Sequence, residues 1–174
     1  MRFDWTTPDV DKATGQRLTL DMVLLDVIAA GIAETKADAL KYVRKRVPQE
    51  SKYQSDIMKY IRQWAEKQGL RCVCWKAAQG PYSRSGVSDV LALIGRHNGN
   101  GCRCVFLAVE VKRPLFGEES ALQKDFINEV NLTGGVAGVA VYREDVLPML
   151  EEVHRRLWRF EDDEKRNSVC FCGV

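Results

Sequence analysis

Two opposite charges stand inside one of the most apolar segments of the chain, and they limit what that segment can become. The segment runs from Val105 to Lys112, and its only charged residues are Glu110 and Lys112. Its β-branched and aromatic residues predict a buried strand, in which residues two apart point to the same face. A buried carboxylate or ammonium costs several kcal/mol unless it is paired or binds a metal. A sequence that places both charges at the end of a buried strand therefore needs a reason.

A second apolar segment carries another acid. Residues 86–94 predict a strand with Asp89 near its start, and residues 95–101, rich in glycine and asparagine, predict a hairpin loop. Strands joined in this way lie about 5 Å apart, so Asp89 and Glu110 can meet, although the sequence leaves the register open. Hard divalent cations prefer oxygen ligands. The acids therefore predict a Mg²⁺ or Mn²⁺ site for phosphodiester cleavage, with Lys112 polarising the attacking water or the phosphate.

Four short motifs follow one another between about Gln49 and Tyr142. They are Glu50-x-x-x-Gln54, Gly86-Val87-Ser88-Asp89, Glu110-Val111-Lys112 and Gln123 on a following predicted helix. In this combination the chain resembles the PD-(D/E)xK nucleases, and among them the VRR-NUC group. Ser88 stands where the superfamily's name has proline. A lone Glu-x-Lys is a weak signal, whereas the ordered combination is specific.

The resemblance implies a fold, a site and a substrate. The fold is a restriction-endonuclease-like α/β core with a central mixed β-sheet flanked by helices. Stand-alone members of the resembled group act as homodimers on branched DNA, so we expect a homodimeric endonuclease that resolves four-way (Holliday) junctions, without an organic cofactor. The implied metal ligands are Asp89, Glu110, Glu50 and the carbonyl of Val111, and the implied catalytic residues are Asp89, Glu110, Lys112, Gln123 and Glu50.

Each of these residues also has a structural interpretation. Glu110 and Lys112 could form a solvent-facing salt bridge at the end of the strand. Asp89 could accept hydrogen bonds in a turn. Gln123 fits the last position of a capping box, a role that can coexist with one in the site. Glu50 could serve only to complement the dipole of its helix.

The chain is predicted to divide near Pro48. Before it, apolar residues at helical spacing and a capping Thr35 predict a helical hairpin over about residues 19–47. The hairpin could form a dimer interface, contact DNA or only cover the sheet, and the sequence leaves these alternatives open. We assign residues 1–48 to an N-terminal helical extension and 49–174 to a nuclease domain with a C-terminal helix. The predicted order in that domain is helix, three strands, helix, strand, helix.

All six cysteines occur in Cys-x-Cys pairs. Two of the pairs fall in predicted strands, where both sulfurs of a pair share one face, so a structural zinc site is conceivable. Zinc ligands are usually separated by two or more residues, however, and cysteines are common in the cores of intracellular proteins. We interpret them as reduced core residues. The pairs are Cys72 and Cys74, Cys102 and Cys104, and Cys170 and Cys172.

The overall composition is that of a globular protein, with 45% hydrophobic and 29% charged residues. A net charge of +2 is too small to indicate nucleic-acid binding by itself. Neither a bilayer-spanning segment nor a secretion signal is recognised, so we expect a protein of the bacterial or phage-infected cytoplasm. The DNA contacts that we predict from position are Lys76, Arg84, Arg113 and Lys124.

Two other functions stay open at this point. The nearest is a nuclease that nicks flaps, single strands or ordinary duplex DNA. The other is a DNA-binding or zinc-organised interaction module whose metal site has decayed. Decayed sites usually lose an acid or the lysine, and Asp89, Glu110 and Lys112 are all present. The sequence therefore favours an active enzyme.

Overall fold

The computed structural model describes residues 1–78, 85–98 and 101–168, without the side chains of 98, 101 and 160–168. The chain falls into two compact units. The first consists of residues 1–53 with 112–118, and the second of residues 54–111 with 119–174. A short segment that follows the Glu-x-Lys strand thus belongs with the N-terminal part of the chain.

The first unit contains the predicted helical hairpin, formed by α1 (Leu20–Ala29) and α2 (Lys36–Arg46). Thr19 and Thr35 cap the two helices, because each hydroxyl accepts a hydrogen bond from the backbone N–H three residues further on. Gly31 has a φ of 68°, which suits the turn between the helices. The core residues are Phe3, Leu18, Val23, Leu24, Val27, Ala39, Val43 and Val47.

A third helix, α3 (Glu50–Lys67), begins in the first unit and continues into the second. Ile57, Ile61 and Ala65 are fully buried, and their spacing of four residues places them on one side of the helix. Arg62 of this helix donates a hydrogen bond to the carbonyl of Cys74 at 2.6 Å. This contact joins α3 to the first strand of the sheet.

The second unit is built on a mixed four-stranded sheet in the order β1 (Arg71–Lys76), β2 (Val90–Asn98), β3 (Gly101–Val111) and β4 (Val136–Ala140). The first three strands are antiparallel, and β4 runs parallel to β3. The helix α4 (Ala121–Leu132) forms the crossover that a parallel pair requires. The α/β class and the predicted order of elements are confirmed.

The sheet has two different faces. On the core face, Ala92, Ile94 and Leu107 are completely buried. Arg96 shares that face, because residues two apart in a strand point the same way. Its guanidinium lies 4.5 Å from the ring of Trp158 in the last helix, α5 (Leu147–Ser168). The core face is therefore the one that α5 covers, and the opposite face, which we call the site face, carries the acids discussed below.

The hairpin between β2 and β3 differs from the prediction. We expected a loop over residues 95–101, yet β2 continues to Asn98 and β3 begins at Gly101. A Cβ atom on Gly95 would lie 2.3 Å from the carbonyl oxygen of Arg103. Glycine at this position thus permits close approach of the two strands, and it does not mark the turn.

Candidate functional site

Asp89 and Glu110 are brought together at one end of the β2–β3 ladder. The last pair of the ladder is Val90 with Val109, and Asp89 lies in the bend just before β2. Its carboxylate reaches the N–H of Val111, the residue that follows Glu110. Both side chains are buried, with exposed fractions of 2% and 1%. Two acids from separate segments of the chain are therefore buried close to each other at this end of the sheet.

Each carboxylate is held by a hydrogen bond. Asp89 accepts from the backbone N–H of Val111 at 3.0 Å through Oδ2, and Glu110 accepts from the Nε2 of Gln123 through Oε1. Charge-assisted bonds of this kind fix the orientation of an acid. Two buried carboxylates this close repel each other unless a cation or a proton lies between them. Their oxygens are the donors that Mg²⁺ and Mn²⁺ prefer, so this donor set fits a divalent cation.

Val111 is placed to add a backbone oxygen. The N–H and C=O groups of one strand residue point to the same neighbouring strand. Because the N–H of Val111 donates to Asp89, its carbonyl is directed towards the same side. This orientation favours the predicted ligand role of the Val111 carbonyl, which stays a prediction.

Gln123 forms the capping box that its sequence position suggested, and it also contacts Glu110. It forms a capping box, in which Gln123 N donates to the Ser120 hydroxyl at 3.3 Å and Ser120 N donates to Gln123 Oε1 at 2.9 Å. The Nε2 of the same amide donates to Glu110. One amide oxygen thus caps α4 while its nitrogen orients an acid of the site.

Gly86 allows the segment before Asp89 to approach α4 closely. Its φ is 81°, and a Cβ atom there would lie 2.7 Å from the Cβ and the carbonyl oxygen of Leu122. A larger residue would therefore be strained in its backbone and would collide with the helix. Close contact with α4 thus explains why glycine occupies this position of the Gly-x-x-Asp motif, and the sequence alone did not reveal that contact.

Ser88 was not singled out by its chemistry, yet it is completely buried beside Asp89. Among the residues that the structure describes, its hydroxyl has no hydrogen-bond partner. Leaving a buried hydroxyl unsatisfied costs about 1–3 kcal/mol. Ser88 is thus a buried polar residue next to Asp89, and its burial could not be seen in the sequence pattern.

Glu50 and Lys112 belong to the first unit. Glu50 is the first residue of α3, where an acid complements the helix dipole. Lys112 is 9% exposed and lies just beyond the end of β3, so the period of the strand does not fix its direction as we had expected. Their predicted roles beside Asp89 and Glu110 stay predictions.

The four predicted DNA contacts have different surroundings. The guanidinium of Arg113 donates to three carbonyl oxygens at the C-terminal end of α2, at 2.5, 2.7 and 2.9 Å, which gives it a structural role. Lys76 is exposed at the end of β1, and Lys124 is exposed in the first turn of α4. Arg84 lies outside the described residues. Contact of these residues with DNA stays a prediction.

The described cysteines differ in exposure. Cys72 and Cys74 lie on the core face, partly buried and buried. Cys102 and Cys104 are exposed on the site face, so the interpretation as core residues is wrong for this pair. Burial raises the pKa of the Cys72 thiol and raises that of Cys74 to about 11. Because the two described pairs lie on opposite faces of the sheet, they do not form one four-cysteine zinc site. The third pair lies outside the described residues.

Comparisons of this chain with protein-family models, with curated proteins and with solved structures find no match. In the part of the chain that the structure describes, no group of three or more His, Cys, Asp or Glu side chains is placed to hold a metal ion. Nor is any helix there long and apolar enough to cross a membrane. The candidate site therefore consists of a pair of acids, with backbone and amide groups around them.

Proposed function

We propose that this chain is a metal-dependent deoxyribonuclease with a restriction-endonuclease-like core of the VRR-NUC type. The observation that carries the proposal is the burial of Asp89 close to Glu110. The Asp89 carboxylate accepts a hydrogen bond from the N–H of Val111, the residue after Glu110, and the two acids are only 2% and 1% exposed. Placing two like charges together in a protein interior is unfavourable without a cation. Mg²⁺, which keeps several of its waters, suits a site with few protein carboxylates and room for a phosphate.

Separate residues of the chain would bind the cation, orient its ligands and position the attacking water. Asp89, Glu110 and the carbonyl of Val111 would hold the cation, and Gln123 keeps Glu110 oriented through its amide. When bound, the cation supplies the Lewis acid that lowers the pKa of a water and neutralises charge on the phosphate. In this proposal Lys112 orients the attacking water and Glu50 adds a further oxygen.

The proposed substrate is branched DNA. A subunit with one site makes one cut, so two symmetric cuts across a four-way junction require a two-fold dimer. We therefore propose a homodimeric, structure-selective endonuclease acting in the cytoplasm of a bacterium or a phage-infected cell. The nearest alternative is a nuclease for flaps, single strands or duplex. Comparing the cleavage rates of these substrates with that of a four-way junction distinguishes the two proposals.

The test is a cleavage assay on four-way, flap, single-stranded and duplex DNA with Mg²⁺, Mn²⁺ or EDTA. Asp89→Asn and Glu110→Gln keep the size of each side chain and an oxygen that accepts the observed hydrogen bond, but remove the charge. We expect cleavage of the four-way junction to fall at least about 100-fold in each variant while the melting temperature is unchanged or higher, because a buried anion is lost.

The exposed acid Glu151 on α5 offers a matched control, Glu151→Gln, which should cleave at the parental rate. Parental rates in Asp89→Asn or Glu110→Gln would refute the site. Failure of the parent protein to cut any of the four substrates would refute the enzymatic function.

A further inference from the structure

One strip of the site face is open to solvent. It consists of Arg71, Val73 and Trp75, which alternate along β1, and of Leu93, which lies opposite Val73 on β2. The exposed fractions of Val73, Leu93 and Trp75 are 65%, 41% and 38%, large values for apolar side chains in a sheet. These residues lie on the same face of the sheet as Glu110, and we call the surface that they form the open strip.

The open strip begins beside the acids. The N–H of Ala77 donates to the carbonyl of Asp89 at 2.8 Å, which extends the β1–β2 pairing to that level. Trp75 is two residues before Ala77, or about 7 Å along the strand. Arg71 lies a further four residues away, about 13 Å. The strip thus leads from the carboxylate pair past an exposed indole to an exposed cation.

This combination of groups suits one kind of ligand. Aromatic faces stack on nucleobases, and neighbouring cations bind the phosphate backbone of single strands. In a duplex, both faces of each internal base are already covered by stacking, so an indole fixed in a sheet can reach only an unpaired base. The apolar Val73 and Leu93 extend the platform beside Trp75.

We propose that the open strip binds an unpaired DNA segment next to the cleaved bond, with a base stacked on Trp75 and a phosphate at Arg71. The location of the cleaved bond rests on the function proposed above. The inference narrows the substrate class to DNA with unpaired nucleotides beside the scissile phosphate, such as a flap, a gap or a junction opened at its centre.

The test measures binding in EDTA, where cleavage does not occur. Fluorescence anisotropy follows a labelled twelve-nucleotide oligothymidylate and a blunt twenty-base-pair duplex, with the parent protein and with Trp75→Ala and Trp75→Phe. We expect Trp75→Ala to weaken oligothymidylate binding roughly 5- to 150-fold, since stacking on an aromatic ring contributes that much per base, and Trp75→Phe to retain most of it. Duplex binding should stay within about twofold of the parent, because its bases cannot reach the indole.

Two further variants test the phosphate contact at Arg71 and control for apolar surface outside the strip. Arg71→Ala should lower the slope of log K against log salt for oligothymidylate by about 0.7, the value for one phosphate contact on a single strand. Leu132→Ala removes an apolar side chain of α4 that is 87% exposed and lies outside the strip, so it should bind like the parent.

Equal oligothymidylate affinity in Trp75→Ala and the parent would overturn the proposal, and so would an equal loss on duplex. A change of sedimentation coefficient in Trp75→Ala without a change in DNA binding would also overturn it, because the strip would then contact a second copy. Binding through Trp75 by a protein that cuts none of the substrates would refute the nuclease function while supporting the strip as a binding surface.

Discussion

At the scale of single residues, Gln123 links the stability of a helix to the geometry of the acids. Glu is equally suited to the last position of a capping box. Gln123→Glu should therefore keep α4 capped but place a second carboxylate against Glu110. We expect it to lose about 1–3 kcal/mol of unfolding free energy at pH 7, because two adjacent carboxylates repel and the pKa of one of them is raised.

The dependence on pH distinguishes this repulsion from a simple loss of contacts. In Gln123→Glu, one of the two carboxylates has a raised pKa in the folded state. The loss of unfolding free energy is therefore largest at neutral pH and becomes smaller as the pH falls through that pKa. Gln123→Ala also loses the cap and the contact with Glu110, but it adds no second carboxylate, so the loss of unfolding free energy that it causes should depend less steeply on pH. Parallel urea-unfolding profiles for the two variants across this range would contradict the close approach of Gln123 and Glu110.

Cys74 makes a second prediction about single residues. Burial raises the pKa of its thiol from the ordinary 9.0 to about 11, so between those values the folded state holds a proton that the unfolded chain has lost. Stability should therefore fall as the pH rises through this window, by about 1–2 kcal/mol from Cys74 alone. Urea unfolding at pH 8, 9, 10 and 11 measures the loss.

Variants isolate the contribution of this thiol from other groups that titrate in the same range. Cys74→Ala should flatten the decline, whereas Cys102→Ala, at an exposed position, should follow the parent. The assignment fails if Cys74→Ala declines as steeply as the parent.

The sequence predicted some of these residues and not others for a physical reason. A charge inside an apolar strand is visible in the pattern, so Asp89 and Glu110 could be singled out together. The buried hydroxyl of Ser88 and the open face of Trp75 depend on which side of the sheet a helix covers. A helix that covers the sheet contacts residues far from it in the sequence, so a local sequence pattern does not predict which side is covered.

At the scale of the elements, the C-terminal end of α2 depends on Arg113. The last carbonyls of a helix lack partners within the helix. The guanidinium of Arg113 satisfies those of Arg44, Val47 and Pro48, at 2.7, 2.5 and 2.9 Å. It also lies over the ring of Phe116, 4.8 Å from the centroid.

Arg113→Lys should therefore destabilise the protein although it keeps the charge, because an ammonium cannot reproduce the planar fork of donors. We expect a loss of about 2–3 kcal/mol in unfolding free energy, measured in urea. Arg143→Lys is the matched control, since Arg143 is 61% exposed and pairs with Glu144 at the surface, and it should lose less than about 0.5 kcal/mol. Equal losses in the two variants would show that the carbonyl contacts contribute little.

Helix starts could be predicted because their determinants are local. Thr35 and Ser120 each accept a bond from a backbone N–H three residues ahead, a distance that the sequence displays directly. Strand ends could not be predicted in this way. β2 extends to Asn98 because a partner strand is present beyond Gly95, and β3 stops before Lys112.

At the scale of the whole molecule, the order of helices and strands followed from periodicity, and the α/β class followed from that order. The mixed character of the sheet was expected only from the resemblance. The division into units did not. Residues 112–118 belong to the unit of residues 1–53, and contacts across so long a stretch of sequence leave no periodic signal. The restriction-endonuclease-like identity of the core, and the places of Glu50 and Lys112 in the site, stay predictions.

The central claim, that Asp89 and Glu110 together hold a divalent cation, is tested most directly by titrating Mn²⁺ and measuring free Mn²⁺ by electron paramagnetic resonance. We expect one Mn²⁺ site for each chain that Mg²⁺ displaces. Its affinity should fall at least about 10-fold in Asp89→Asn and Glu110→Gln, because each removes a charged oxygen ligand, and should be unchanged in Glu151→Gln. Parental Mn²⁺ affinity in both site variants, or no Mn²⁺ binding by the parent protein, would contradict the account.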